Sequence, residues 1–173
     1  MNLHRCREAG PPRRLADLEA DALYVRSRDL DLPPLLASVP ARTLLVAHVP
    51  PLEPGSRPAD VLVGSESDLP PAFLDDPWGA GRSIAGGRLR LVVVTRGERG
   101  AEGFTASERI AVPAPRVDVV DSTAAGDVFA AGLVHALVLG RPARAALETA
   151  VAWGAAAVAR PGVPGRETIE SLL

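Results

Sequence analysis

A chain of 173 residues, 47% of them hydrophobic, is long enough to bury a sizeable core in one domain. All 19 basic residues are arginine against 21 acidic ones, so a net charge of −2 offers no basic stripe to nucleic acid, and the lack of lysine excludes P-loop and Schiff-base lysines. Cys6 is the single cysteine, which excludes a disulfide framework or a cysteine-based zinc site within the chain, and His4, His48 and His135 lack metal-ligand spacing.

In chain order, residues 1–14 are polar, arginine-rich and carry Pro11 and Pro12; they are expected to be irregular, with the folded part over 15–173. Ala22–Val25 and Thr43–Ala47 are short continuous apolar runs, as in strands buried on both faces of a parallel sheet. Between them Leu30 to Ser38 has room for a short helix, weakened by Pro33 and Pro34. A proline-rich loop from Pro50 to Pro58 leads to a third strand, Ala59–Val63, and Leu89–Thr95 is a fourth, centred on Val92, Val93 and Val94. The Gly79–Gly87 stretch is predicted as a loop. Short strands spaced by crossovers predict an α/β fold with a mainly parallel sheet flanked by helices.

Thr95 is followed by Arg96-Gly97-Glu98-Arg99-Gly100, whose two glycines allow a turn and a close backbone approach to a ligand; such a pair alone is usually only a turn. Gly103-Phe104 and Ile110–Val112 read as a small hairpin. Val117, Val119 and Val120 read as the strand entering Asp121-Ser122-Thr123-Ala124-Ala125-Gly126-Asp127. Behind that loop, Phe129, Leu133 and Leu137, with Ala130 and Val134 beside them, give a helix from Ala125 to Leu139 with one buried face, stopped by Gly140. The loop therefore delivers backbone N–H groups without intrahelical partners at the positive end of a helix dipole. Ala125 and Gly126 let an anionic group come close, and Asp127 sets a carboxylate beside it, an arrangement suited to phosphoryl transfer onto a hydroxyl. On spacing alone, an Asp that merely compensates the dipole is the favoured reading. Pro142 precedes an alanine-rich helix over Ala143–Arg160, in which Ala150, Gly154 and Ala157 allow close approach to a neighbour and Pro161-Gly162 makes the stop. Glu167–Leu173 suggests a last short helix, and His135 reads as a packed or half-exposed residue.

The full string Asp121–Asp127 resembles the signature of the ribokinase-like (PfkB) carbohydrate kinases, Asp-Thr-Thr-Gly-Ala-Gly-Asp, with Ala124 where the first glycine usually stands. The resemblance covers about Leu15 to Leu173 and corresponds to the C-terminal part of such a kinase, so it implies a ribokinase-like three-layer fold lacking the N-terminal part and the lid. It implies Asp127 as general base, the Ala125, Gly126 and Asp127 amides as anion hole, and Thr95, Gly97 and Gly126 as nucleotide contacts, with Gly100 serving the turn. Asp121 and Thr123, with Arg160 and Gly162, match a monovalent-cation loop. The family's Asn-x-x-Glu element, which organises magnesium, aligns with Ser65-Glu66-Ser67-Asp68, where Ser65 offers no amide and Asp68 is one methylene shorter. The implied activity is ATP-dependent phosphotransfer to an alcohol group of a sugar or related small molecule, with ATP, Mg2+ and a monovalent cation such as K+. The alternative is a non-catalytic nucleotide-binding remnant of such a kinase. A small-molecule sugar or similar alcohol is the expected partner, without nucleic acid or membrane, and an unpaired sheet edge near Ala22–Val25 is expected to invite self-association. No apolar run reaches the length of a membrane span and the arginine-rich start lacks a signal-peptide core, so a soluble cytoplasmic protein is expected.

Overall fold

The computed structural model describes residue 15, residues 19–29, residues 31–162 and residues 164–171; the irregular segment expected over 1–14 lies outside them. Chain order gives β1 (Ala22–Val25), α1 (Pro33–Ala37), β2 (Leu44–His48), β3 (Val61–Ser65), α2 (Pro71–Asp75) and α3 (Pro77–Ala85). After these come β4 (Leu91–Thr95), β5 (Ala101–Phe104), β6 (Arg109–Val112), α4 (Ala125–Val138), α5 (Ala143–Val158) and α6 (Arg166–Glu170). The strands form one six-stranded sheet in the order β1-β2-β3-β4-β5-β6. β1 to β4 run parallel, and the β5–β6 hairpin continues the sheet antiparallel.

The middles of β2, β3 and β4 are apolar because helices cover both faces. Leu45, Ala47, Leu62, Val92 and Val94 pack with Leu36, Phe73 and Ile84 from α1, α2 and α3. The alternate residues Val46, Val61, Val63, Leu91 and Val93 pack with Phe129, Leu133 and Ala136 of α4 and Leu147, Ala150 and Val151 of α5. This is the three-layer α/β arrangement expected from the alternation of strands and crossovers. Between α4 and α5, a Cβ on Gly132 would lie 3.0 Å from the Trp153 ring and 3.2 Å from Ala150 Cα, so the missing side chain sets how closely these helices approach. At the amino ends of the strands, buried Asp60 accepts from Leu45 N at 2.8 Å and from Arg88 Nε at 2.9 Å, joining β2, β3 and the entry to β4.

Two expectations are corrected. Gly79–Gly87 is not a loop: α3 occupies Pro77–Ala85. Pro77 sits in the first turn, the Asp76 carboxylate accepts from Gly79 N at 2.9 Å, and Gly86, at φ 74°, ends the helix. Gly81 serves packing: a Cβ there would lie 2.4 Å from Val92 Cγ2, so this helix rests directly on β4, while a Cβ on Gly79 would lie 2.0 Å from the Asp76 carboxylate that caps the helix. Val117–Val120 is not a strand either. Val119 and Val120 are 68% and 58% exposed, and the Val120 and Asp121 N–H groups donate to Val158 O of α5 at 2.8 and 3.2 Å. Pro113 and Pro115, which have no N–H to give a ladder, carry the chain off β6 and away from the sheet. Smaller differences are at ends. Pro142 stands just before α5 with extended backbone, and α2 and the short turn Gly86–Arg88 have no counterpart in the sequence reading. Among the described residues no helix is long and apolar enough to cross a membrane.

Candidate active site

The carboxyl ends of parallel strands gather the candidate residues on one edge. Arg26 follows β1, His48 ends β2, Ser65–Asp68 leaves β3, and Thr95 and Gly97 leave β4. The register keeps them level, with Val25 opposite Ala47, His48 opposite Val63 and Ser65 opposite Thr95. The N-terminus of α4 arrives at the same edge.

The loop before α4 is shaped by Asp121 and Ala124. Asp121 Oδ1 accepts from Thr123 N at 2.8 Å and Oδ2 from Gly162 N at 3.5 Å. The Thr123 amide and hydroxyl, and then the Gly162 amide, hold the Asp121 carboxyl below its ordinary range. Ala124 is the single non-glycine residue with positive φ among the described residues (φ 61°), and it is the position where the signature usually has glycine. Its carbonyl accepts from Asp127 N at 2.9 Å and Val128 N at 3.0 Å, while Ala125 N donates to Ser122 O at 3.3 Å. Of the three amides assigned to the anion hole, Gly126 N–H is therefore the one with no acceptor among the described residues. Gly126 is exposed and a Cβ built on it meets nothing within 4 Å, so the loop leaves open space at this residue.

Asp127, in the first turn of α4, is about half exposed and ion-paired with Arg26. The two line an open cleft of about 570 Å³ with Tyr24, Ala131, Val134 and His135. Burial and the Arg26 charge push the half-buried His48 below its ordinary pKa; Asp68 pulls it up, Arg28 lowers it and Asp127 raises it. Burial raises the Tyr24 hydroxyl, with Arg26 and Asp127 acting in opposite senses. His135 is packed as expected, its ring stacked on Trp153 at 5.3 Å.

On the β4 side, Thr95 Oγ1 donates to Gly64 O at 3.4 Å. Gly97, at φ 56°, opens the turn Gly97–Arg99, and nothing lies within 4 Å of a Cβ placed there. Gly100 differs: at φ 93° its Cβ would lie 2.0 Å from Val112 O, so the turn itself demands it. Glu66 pairs with Arg96 and Arg99, and Glu102 pairs with Arg96 at 2.8 Å and Arg109 at 2.5 Å, a ladder that ties the β3 end to the β4–β5 turn. Asp68 is exposed and makes no hydrogen bond or ion pair among the described residues; Ser65 Oγ lies 2.8 Å from Ser67 Oγ. Arg160 Nη1 donates to Thr168 Oγ1 at 2.5 Å, so it ties α5 to α6. Among the described residues no group of three or more His, Cys, Asp or Glu side chains could hold a metal ion.

The family model of the pfkB family carbohydrate kinases matches residues 32–168. The chain belongs to that family. The pfkB match takes in α1 to α5 and every residue described at the edge except Tyr24, Arg26 and Arg28. The chain is 33% identical over 109 residues to a deoxyribokinase of Salmonella typhi, covering 63% of this chain and 34% of that protein. It is 29% identical over 137 residues to a ribokinase of Schizosaccharomyces pombe, covering 79% and 42%. The chain thus spans well under half the length of these pfkB relatives. Among solved structures, a Methanocaldococcus jannaschii nucleoside kinase, described as an archaeal member of the ribokinase family, superposes with a TM-score of 0.74 at 17% identity. That superposition covers 94% of this chain and 57% of the other. A Thermotoga maritima ribokinase gives 0.67 at 21% identity, covering 88% and 56%. The chain thus has the ribokinase fold in part.

Two residues of the edge were missed from the sequence. Arg26 carried a usable signal, an arginine directly after an apolar strand of a parallel sheet, where ligands are bound. His48 was weighed only as a metal ligand, and its place at the end of β2 carries no spacing signature.

Proposed function

We propose that this chain is the phosphate-handling part of an ATP-dependent kinase that transfers a phosphoryl group to an alcohol group of a sugar or related small molecule. The observation that carries the reading is Asp127 on the first turn of α4, beside the unpaired Gly126 N–H and at the carboxyl edge of the sheet. Asp127 takes the proton of the acceptor hydroxyl as its oxygen attacks the γ-phosphorus, and the bond from that phosphorus to the β–γ bridging oxygen breaks, so ADP leaves. The Gly126 N–H and the positive end of α4 face the charge that develops on the phosphoryl oxygens, and the Ala125 and Asp127 amides join them once the loop gives up its internal bonds. Thr95 and Gly97 hold the nucleotide at the open turn after β4.

Asp68, an exposed carboxylate without a hydrogen bond or ion pair among the described residues, fits the group that would hold Mg2+ through water, and Ser65 adds a hydroxyl beside it. Bound magnesium would neutralise phosphate charge. Asp121, kept ionised by its amide donors, and Thr123 fit the fixed negative end of a site for a monovalent cation such as K+. The partner is a small-molecule alcohol, and the setting a soluble, cytoplasmic one.

The Arg26–Asp127 pair favours a second reading, a nucleotide-binding remnant, because a carboxylate already engaged by a guanidinium is less available to an acceptor hydroxyl. The test is phosphotransfer to ketoses, aldoses and nucleosides in the assembly that turns over, with Asp127→Asn beside the native chain. The kinase reading expects a loss of about 10²–10⁴-fold in rate with nucleotide affinity nearly intact. A variant that loses ATP binding and keeps its rate overturns the roles assigned here; ATP binding without transfer in any assembly selects the remnant.

A further inference from the structure

Arg26 and Arg28 follow β1 at the functional edge, and both charges reach His48. Arg26 is paired with the carboxylate that receives the acceptor hydroxyl. The contact is through one Asp127 oxygen, so the other can receive the hydroxyl while Arg26, half exposed at the mouth of the cleft, keeps N–H donors for an arriving group. The other lining residues, Tyr24, Ala131, Val134 and His135, carry no acidic group. An oxyanion on the arriving acceptor is the group best matched to those donors.

The nucleotide is not the source of that anion. β1 and β4 are three strand steps apart in the sheet, roughly 14 Å at the usual spacing, which sets Arg26 at the opposite end of the edge from Thr95 and Gly97. The backbone that carries the two arginines is also held in an unusual way. Arg57 is fully buried, and its guanidinium donates to Ser27 O at 2.5 Å, Asp29 O at 3.3 Å and Ser56 O at 2.8 Å, with no carboxylate in salt-bridge range among the described residues. A buried charge is costly unless well partnered. Here it is used to fix the carbonyls on either side of Arg28, so the segment that presents Arg26 is held in one geometry.

We propose that Arg26, supported by Arg28 and positioned through Arg57, selects an acceptor that carries an anionic oxygen group, a phosphate ester or a carboxylate, on a polyol. The proposal rests on the reading of Asp127 as the group that receives the acceptor hydroxyl. Its chemistry is charge-assisted and bidentate recognition of oxyanions by a guanidinium.

The experiment is calorimetric titration of the 173-residue chain with ribose 5-phosphate, gluconate, ribose and inorganic phosphate, each with and without a non-hydrolysable ATP analogue. Ribose 5-phosphate or gluconate binds saturably and ribose does not, and which of the two binds identifies the anionic group. Arg26→Gln weakens that binding at least about tenfold while the ATP analogue binds as before. Asp127→Asn tightens it, because Arg26 is released and a repelling charge removed; a merely structural role for Arg26 would not give that sign. Ribose binding as well as ribose 5-phosphate, inorganic phosphate binding as well as either polyol, no anionic polyol binding, or Arg26→Gln losing the ATP analogue instead each overturns the proposal. Transfer to neutral sugars alone would sustain the kinase reading and sink this one.

Discussion

Ala124 is the backbone position at which the loop is most constrained, and replacing it by glycine should stabilise the protein. Its φ of 61° and ψ of 4° put an L-residue in the left-handed region, where the Cβ crowds the following carbonyl at about 1–2 kcal/mol. Glycine removes that crowding but enlarges the freedom of the unfolded chain by about 0.5–1 kcal/mol. Ala124 lies outside the three apolar clusters of the core, so little packing is lost with its methyl group. The net expectation for Ala124→Gly is a gain of roughly 0.5–1 kcal/mol, or about 1–4 °C in Tm for a chain of this size. Ala124→Val, β-branched at the same φ, should lose stability against the native chain. Urea unfolding of the three proteins, followed by circular dichroism, reads both signs. A lower midpoint for the glycine variant at an unchanged m-value would refute the reasoning, because it would mean the methyl group contributes packing that outweighs the strain.

Gly81→Ala should destabilise by about 1–3 kcal/mol, since the new Cβ would lie 2.4 Å from Val92 Cγ2, whereas Gly87→Ala, with nothing within 4 Å, should sit near the native value in the same denaturation assay. Burial pushes the Glu102 carboxyl up, but hydrogen bonds from Arg109 and Arg96, with their charges, outweigh it and hold the folded pKa below its ordinary range. That stability is present above the unfolded carboxylate range and is lost as pH falls through the folded pKa, so acid should unfold the native chain over a steeper pH dependence than Glu102→Gln. The chain by itself should show no sugar phosphorylation above background and a mass in solution that rises with concentration, since among the described residues β1 has no strand on its outer side; sedimentation and a turnover assay on one preparation check both, and robust turnover by a monomer would contradict them.

What the sequence made legible follows from which forces are local. The strands β2, β3 and β4 are readable because burial on both faces leaves only apolar residues there, and their ends came out within two residues. α4 is readable because Phe129, Leu133 and the small residues between them repeat at helical spacing, and the helix does begin at Ala125. α3 was misread because glycine weighs against a helix in isolation, whereas Gly81 is chosen for contact with Val92, a partner distant in sequence. Val117–Val120 was misread for the converse reason: three valines suit a strand, but a strand needs a neighbour, and the two prolines before it turn the chain away from one. At the edge, the Asp121–Asp127 loop could be read as a unit because its geometry is made within seven residues. The pairing of Asp127 with Arg26 joins residues 101 positions apart, and no local pattern encodes it.

Stability and chemistry occupy opposite ends of the same strands. At the amino ends, Asp60 is nearly inaccessible and accepts from Leu45 N and Arg88, while Arg88 also donates to Val39 O at 2.9 Å and Thr43 O at 2.6 Å. Every one of those bonds crosses between elements, so this ion pair binds the connections before β2, β3 and β4 into one unit. Breaking such a pair leaves an uncompensated charge in a low-dielectric setting, at a penalty of several kcal/mol. At the carboxyl ends the charged groups are treated differently. Arg26 and Asp127 are about half exposed, Asp68 has no partner among the described residues, and the Gly126 N–H is left open. Groups held this loosely add little to stability, because exposed pairs contribute only about 0–1 kcal/mol. For the same reason they can exchange partners without strain on the core, which a site that receives phosphate, metal and acceptor in turn requires. The parallel sheet makes this separation possible: all four of its parallel strands begin at one edge and end at the other, so the fold is fastened at one edge while the other stays free to bind.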